Sequence, residues 1–94
     1  MLNMEQILWK ISRIWGFLND YEKEIVEVLI DYKGLTWTEL FDQVSFTKKT
    51  LSKYLEDLRN KGIIEYKDKE YYIADKLLIA WLKHEKVVHG YYPT

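Results

Sequence analysis

The chain has 94 residues, of which 48% are apolar and 31% charged, and its 14 Lys and Arg against 15 Asp and Glu leave a net charge of −1. This length fits one domain over 1–94 and not two, and the apolar share is too high for a disordered chain. The lack of cysteine excludes disulfides, thiolate metal sites and Cys nucleophiles, while the near-zero charge speaks against nucleic acid, whose binding is dominated by phosphate neutralisation.

The longest uncharged stretches, Ile14 to Asn19 and Val87 to Thr94, fall short of the roughly 18 residues of a membrane span. No basic start leads into an apolar run with a small-residue cleavage site. A cytoplasmic protein without a membrane partner is expected.

The first predicted element is a helix over about 3–18. Met4, Ile7, Ile11, Ile14 and Leu18 recur at spacings of three and four, a single apolar stripe widened by Leu8, Trp15 and Phe17. Asn19, with Glu22 three residues later, opens a second helix through a capping-box pattern. This helix runs to about Lys33 and stops at Gly34. Tyr21, Ile25, Val28, Leu29 and Tyr32 are its expected inner positions, with Glu22, Glu24, Glu27 and Asp31 facing water.

Thr36 and Glu39 repeat the capping pattern and open a short helix through Val44, with Leu40, Phe41 and Val44 inward. A turn at Ser45 and Phe46 leads to Thr47 as a fresh cap. Lys48 to Lys61 then reads as a helix with Leu51, Tyr54, Leu55 and Leu58 inward, ended by Gly62. The period next changes to two over 63–73. This is a β-hairpin with Ile64 and Tyr66 on one face set against Tyr71 and Ile73 or their neighbours, its register left open because no Asn-Gly or Asp-Gly marks the turn. Asp75 caps a last helix over about 76–88 with Leu77, Leu78, Trp81, Leu82 and Val88 apolar. Tyr91 to Thr94 either fray or fold back through the two tyrosines.

The predicted class is therefore mainly α with a small β-hairpin. Helix, short helix, turn, longer helix and hairpin, flanked by terminal helices, resemble a winged helix-turn-helix domain with core 19–73 and flanking helices 3–18 and 75–89. The run from Thr47 to Glu65 carries the resemblance: a cap, a polar start, spaced leucines, a glycine and paired aliphatics. Beyond it, the segment from Tyr71 to Leu82 resembles the region after the wing in winged-helix domains attached to archaeal ATPases. The resemblance implies sequence-specific binding of double-stranded DNA, as in a transcriptional regulator.

In such a motif the second helix enters the major groove with its N-terminal residues at base edges. The outward residues there are Lys48, Lys49, Ser52 and Lys53, with no acid until Glu56. Lys49, Ser52 and Lys53 are expected in the groove, and Thr47, Lys48 and Thr50 on the phosphate backbone. At the wing tip, Lys67 and Lys69 would reach flanking DNA, although Asp68 and Glu70 between and beside them weaken their field. Arg59 and Lys61 lie further along the helix and rank lower.

Other chemistry is sparse. His84 and His89 are five apart and diverge around a helix, with no cysteine or carboxylate cluster to complete a zinc set. The isolated glycines form no phosphate-binding loop. Glu24, Glu27 and Asp31 share a face, and they read as solubilising acids rather than as a general acid and base. Neither an enzyme, a cofactor, a metal nor a small-molecule effector is expected. A homodimer through the terminal helices is expected, built from Met4, Ile7, Trp9, Ile11, Ile14, Trp15, Leu18 and Trp81.

Residues 1–20, 21–46, 47–70 and 71–94 carry net charges of 0, −4, +2 and +1. The neutral total thus conceals a polarised chain, which favours DNA. The alternative is a winged-helix module that binds protein, as part of or partner to an archaeal ATPase.

Overall fold

A computed structural model describes residues 4–94, and the side chain of Met4 lies outside the described residues. The element order is α1 (Met4–Gly16), α2 (Asp20–Tyr32), α3 (Trp37–Gln43), α4 (Lys48–Asn60), β1 (Ile64–Lys67), β2 (Glu70–Ile73) and α5 (Lys76–His89). Helix starts obey local chemistry closely. Asn19 and Thr36 each accept from the backbone N–H three residues on, and Glu22 and Glu39 return the bond to the cap's own N–H. Both reciprocal boxes satisfy donors that a helix N-terminus otherwise leaves open. Thr47 and Asp75 cap α4 and α5 in the simpler one-way form.

Helix ends depart slightly from expectation. α1 stops at Gly16, two residues early, yet Leu18 still turns into the core from the connection. After α2 the left-handed residue is Lys33, at φ 64°, with Gly34 next at φ 147°. A side chain at position 34 would meet the hairpin, 3.5 Å from Glu70 Oε2 and 3.7 Å from the Tyr71 carbonyl. Glycine there lets the chain pass close beneath the wing.

β1 and β2 pair antiparallel with Ile64 opposite Ile73 and Tyr66 opposite Tyr71, so the expected faces hold. Asp68 and Lys69 form the turn with φ of 53° and 68°, the two left-handed positions of a type I′ turn achieved without glycine. A further backbone bridge has no signal in the sequence pattern. Leu35 exchanges backbone bonds with Tyr71, at 3.0 and 2.7 Å, stitching the α2–α3 connection to the wing.

The core runs through every element. Ile25 and Val26 of α2, Leu40 of α3, Leu51 and Leu58 of α4 and Leu82 of α5 are fully enclosed, and Ile64 and Leu78 nearly so. The inner stripe of α2 is turned from the expected one. Val26, Ile30 and Glu22 are buried, whereas Tyr21 and Tyr32 are about half exposed. Tyr21 instead stacks on Tyr54 of α4 at 5.3 Å and meets the edge of Phe46 at 5.2 Å. Leu77 and Val88 of α5 likewise face outward, leaving Leu78 and Leu82 to pack inward. No described helix is long and apolar enough to cross a membrane.

Candidate nucleic-acid interface

The helix-turn-helix pair is α3 and α4, and its geometry is set from α2. Glu24 accepts from both the backbone N–H and the hydroxyl of Ser45, at 2.8 and 3.1 Å, which pins the turn that precedes α4. At the other end Lys61, just past α4, donates to Glu22. Glu22 is an acid expected in water but almost wholly buried. The Lys61 ammonium and the Asn19 N–H compensate its desolvation. Lys61 is thereby withdrawn from the free cations, and Glu24 is a structural clamp as well as a surface acid.

With 100° per residue, the buried Leu51, Leu55 and Leu58 place Lys49, Lys53, Glu56 and Asn60 on the opposite side of α4. Lys49, Ser52 and Lys53 are exposed, as is Lys48. Lys48 leans over the Phe41 ring at 5.7 Å and Lys53 over Tyr54 at 5.2 Å. These contacts steady long side chains while leaving their ammonium groups hydrated. Thr47 Oγ1 accepts from the Thr50 N–H and donates to Thr50 Oγ1. One hydroxyl proton is shared between the two threonines within the cap, so a single hydroxyl proton of the pair remains for a ligand.

The wing stands beside α4. Tyr66 and Tyr71 pack with ring centroids 4.6 Å apart, and Tyr72 donates to Glu65 at 2.9 Å. That bond and burial both raise the Tyr72 hydroxyl above the ordinary phenol range, the bond to Glu65 foremost. Lys67 and Lys69 are exposed near the tip, Lys67 opposite Glu70 in register. Arg59, ranked low from sequence, reaches over Tyr66 at 5.7 Å and joins the helix to the wing. A groove of about 520 Å³ lies along this seam, lined by Trp37, Ser52, Glu56, Arg59, Asn60 and Tyr71 with Leu55 also at its wall. No sequence signal brings Trp37 and Tyr71 together there, since 34 positions separate them.

Most of the residues expected to join two chains are enclosed within one. Ile11, Trp15 and Leu18 are buried in the chain's own core, and Ile7, Ile14 and Trp81 pack against it half-buried. Trp15 also donates through Nε1 to the Pro93 carbonyl at 2.9 Å. The stripe cannot serve a second chain because α5 and the C-terminal residues already cover it. Of those expected residues only Trp9 is openly exposed, at 61%; the side chain of Met4 is outside the described residues. Trp9 shares the outer face of α1 with Arg13 and the 73% exposed Phe17, the Arg13 guanidinium lying 4.7 and 5.7 Å from the two rings.

Among the described residues no three His, Asp or Glu side chains gather as a metal site. His89 contacts Glu85 of its own helix at 3.0 Å. Residues 23–79 match a family model described as winged helix-turn-helix. Neither the curated proteins nor the solved structures yield a match to this chain. The family match spans more than half of the chain and coincides with the helix-turn-helix and wing, so the chain belongs to the winged helix-turn-helix family.

Proposed function

We propose that the protein is a non-catalytic, cytoplasmic DNA-binding protein that recognises specific double-stranded sequences as a transcriptional regulator. α4 lies in the major groove and the wing on flanking phosphate. The observation that carries this reading is the start of α4, where Lys48, Lys49 and Lys53 are exposed with no acid among them on a helix clamped at both ends. Cations at these positions face phosphate on either side of a groove, and the helix N-terminus adds its own partial positive charge.

Fluorescence anisotropy on random-sequence duplex at two salt concentrations tests it. The Lys48→Ala, Lys49→Ala, Lys53→Ala triple variant is expected to bind more weakly, with a log–log salt slope shallower by about 3. If the triple variant binds as tightly as the parent, or the parent fails to bind at low salt, α4 is not a DNA-binding helix. A protein partner on the same fold then becomes the better reading.

We also propose that the functional unit is a homodimer formed by the outer face of α1. Trp9 and Phe17 each lie four residues from Arg13, so an antiparallel two-fold near Arg13 sets each Trp9 over the partner's Phe17. Gly16 beside them has no positive φ to accommodate and nothing within 4 Å of where a Cβ would stand. Its missing side chain leaves room for a second helix. Sedimentation is expected to give a two-chain mass for the parent and a one-chain mass for Trp9→Ser, Phe17→Ser; a one-chain mass for the parent at high micromolar concentration overturns the dimer.

A further inference from the structure

We propose that Glu56 and Arg59 together read the major-groove edge of one G·C base pair, Arg59 donating to guanine O6 and N7 and Glu56 accepting from cytosine N4. This rests on the DNA-binding reading above but names a different part of α4, its second half along the wing. Two residues three apart on a helix have Cβ atoms about 5–6 Å apart, close enough to address one base pair. Such a pair ordinarily closes on itself as a salt bridge. Here it does not: among the described residues the ion pairs are Lys61–Glu22, Lys86–Asp31 and His89–Glu85, and neither Glu56 nor Arg59 takes part.

What holds Arg59 instead is the wing. Its guanidinium lies over the Tyr66 ring, and Tyr66 is braced in turn by Tyr71. A ring 5.7 Å from the guanidinium carbon steadies the side chain beside α4 without using its N–H groups in an ion pair, so they remain for a bidentate contact. Trp37 and Tyr71 wall the seam, and Ser52 lies one turn before Glu56 on the same side of α4.

The acid decides what kind of ligand fits. A carboxylate beside Arg59 repels a phosphate, so this seam suits the DNA backbone poorly, in contrast to the lysine-rich start of α4. A base-pair edge presents donors and acceptors together. Only guanine places two acceptors side by side for an arginine fork, and its partner cytosine supplies the amino donor for a carboxylate. An A·T pair puts its adenine amino group where Arg59 needs the second acceptor. Glu56 therefore acts as a filter, weakening attachment to DNA in general and rewarding one base pair.

The test begins by selecting bound duplexes from a randomised pool with the full chain and measuring anisotropy on the preferred duplex. Each G·C is then replaced in turn by A·T, or its guanine by 7-deazaguanine, which lacks the N7 acceptor. One position is expected to lose about tenfold or more in affinity with the parent on either replacement. Arg59→Ala is expected to bind the guanine and 7-deazaguanine duplexes alike, keeping only the preference for cytosine over thymine that Glu56 supplies. Glu56→Ala is expected to bind random duplex more tightly than the parent while keeping at that position only the part of the preference that Arg59 supplies. Both side chains are exposed, and circular dichroism verifies that the variants keep their helices. If Arg59→Ala weakens binding equally on all sequences, Arg59 is a phosphate contact and the proposal fails while DNA binding stands. The proposal likewise fails if Arg59→Ala discriminates against 7-deazaguanine as the parent does, or if Glu56→Ala leaves both binding and preference unchanged. Failure of the parent to bind any duplex at low salt overturns the DNA-binding reading itself.

Discussion

Glu27 lies on α2 one turn from both Glu24 and Asp31, and its carboxyl is held above the ordinary carboxylate range, first by burial and then by Asp31 and Glu24, against the opposing pull of Lys23 and Lys86. A carboxyl whose folded pKa exceeds its unfolded one binds protons more tightly in the native state. Stability therefore falls as pH rises from the unfolded pKa through the raised folded one, and Glu27 is a net burden at neutrality. Glu27→Gln is expected to raise the melting temperature at pH 7 and to lose that advantage towards pH 4, as thermal melts across this range will read. The neighbouring acid Glu22 is buried, and its carboxylate is matched by Lys61 and the Asn19 N–H. Its capping role is legible in the Asn19–Glu22 spacing. Its burial is not, because a glutamate in an amphipathic pattern reads as solvent-facing until Lys61, 39 positions away, is brought to it.

Among the elements, the wing shows where local rules are bent. Asp68 and Lys69 both occupy left-handed backbone in a two-residue turn. Asp tolerates that region, while Lys carries a steric cost of about 1 kcal/mol that glycine avoids. Lys69→Gly is expected to stabilise the domain by about 1 kcal/mol in urea titrations while weakening DNA binding slightly, since it removes a cation near the tip. A substitution that tightens the fold and loosens the complex would separate the two roles of the turn. The hairpin strands are readable from their period of two, and the start of every described helix after α1 from Asn19, Thr36, Thr47 and Asp75. The rotation of α2 is not, because Tyr21 and Tyr32 satisfy the helical period as well as Val26 and Ile30 do. Which stripe is buried depends on the surfaces of α4 and β2. In α1 the same ambiguity assigns to association a stripe that is buried: the longest apolar stripe is the one the chain keeps for itself, and Trp9 and Phe17 off that stripe remain outside.

At the scale of the molecule, the C-terminal residues tie distant elements together. Tyr92 donates to Asp31 at 2.6 Å, lies under the Lys86 ammonium at 4.6 Å, and its hydroxyl is raised far above the usual phenol range by burial and by Asp31. Pro93 receives the Trp15 indole N–H. A chain ending at Gly90 loses both bonds and uncovers Trp15, for about 2–3 kcal/mol. Its melting temperature is expected to drop by roughly 10 °C or more, and an unchanged melt would mean that these residues are ornamental. The folding back of the two C-terminal tyrosines is one of two outcomes open from sequence; only Tyr92 takes it, Tyr91 staying exposed.

The acids of α2 have a consequence for the thermodynamics of association. Glu24 grips the turn before α4 and Glu22 grips Lys61 after it, so the orientation of α4 is settled when the chain folds. A partner meeting this helix need not order it, and the entropy that a hinged element would lose on docking has been lost already. Binding is accordingly expected to proceed with almost no gain in helical signal, and the −4 segment that balances the chain's charge serves as the frame that keeps its basic helix aimed.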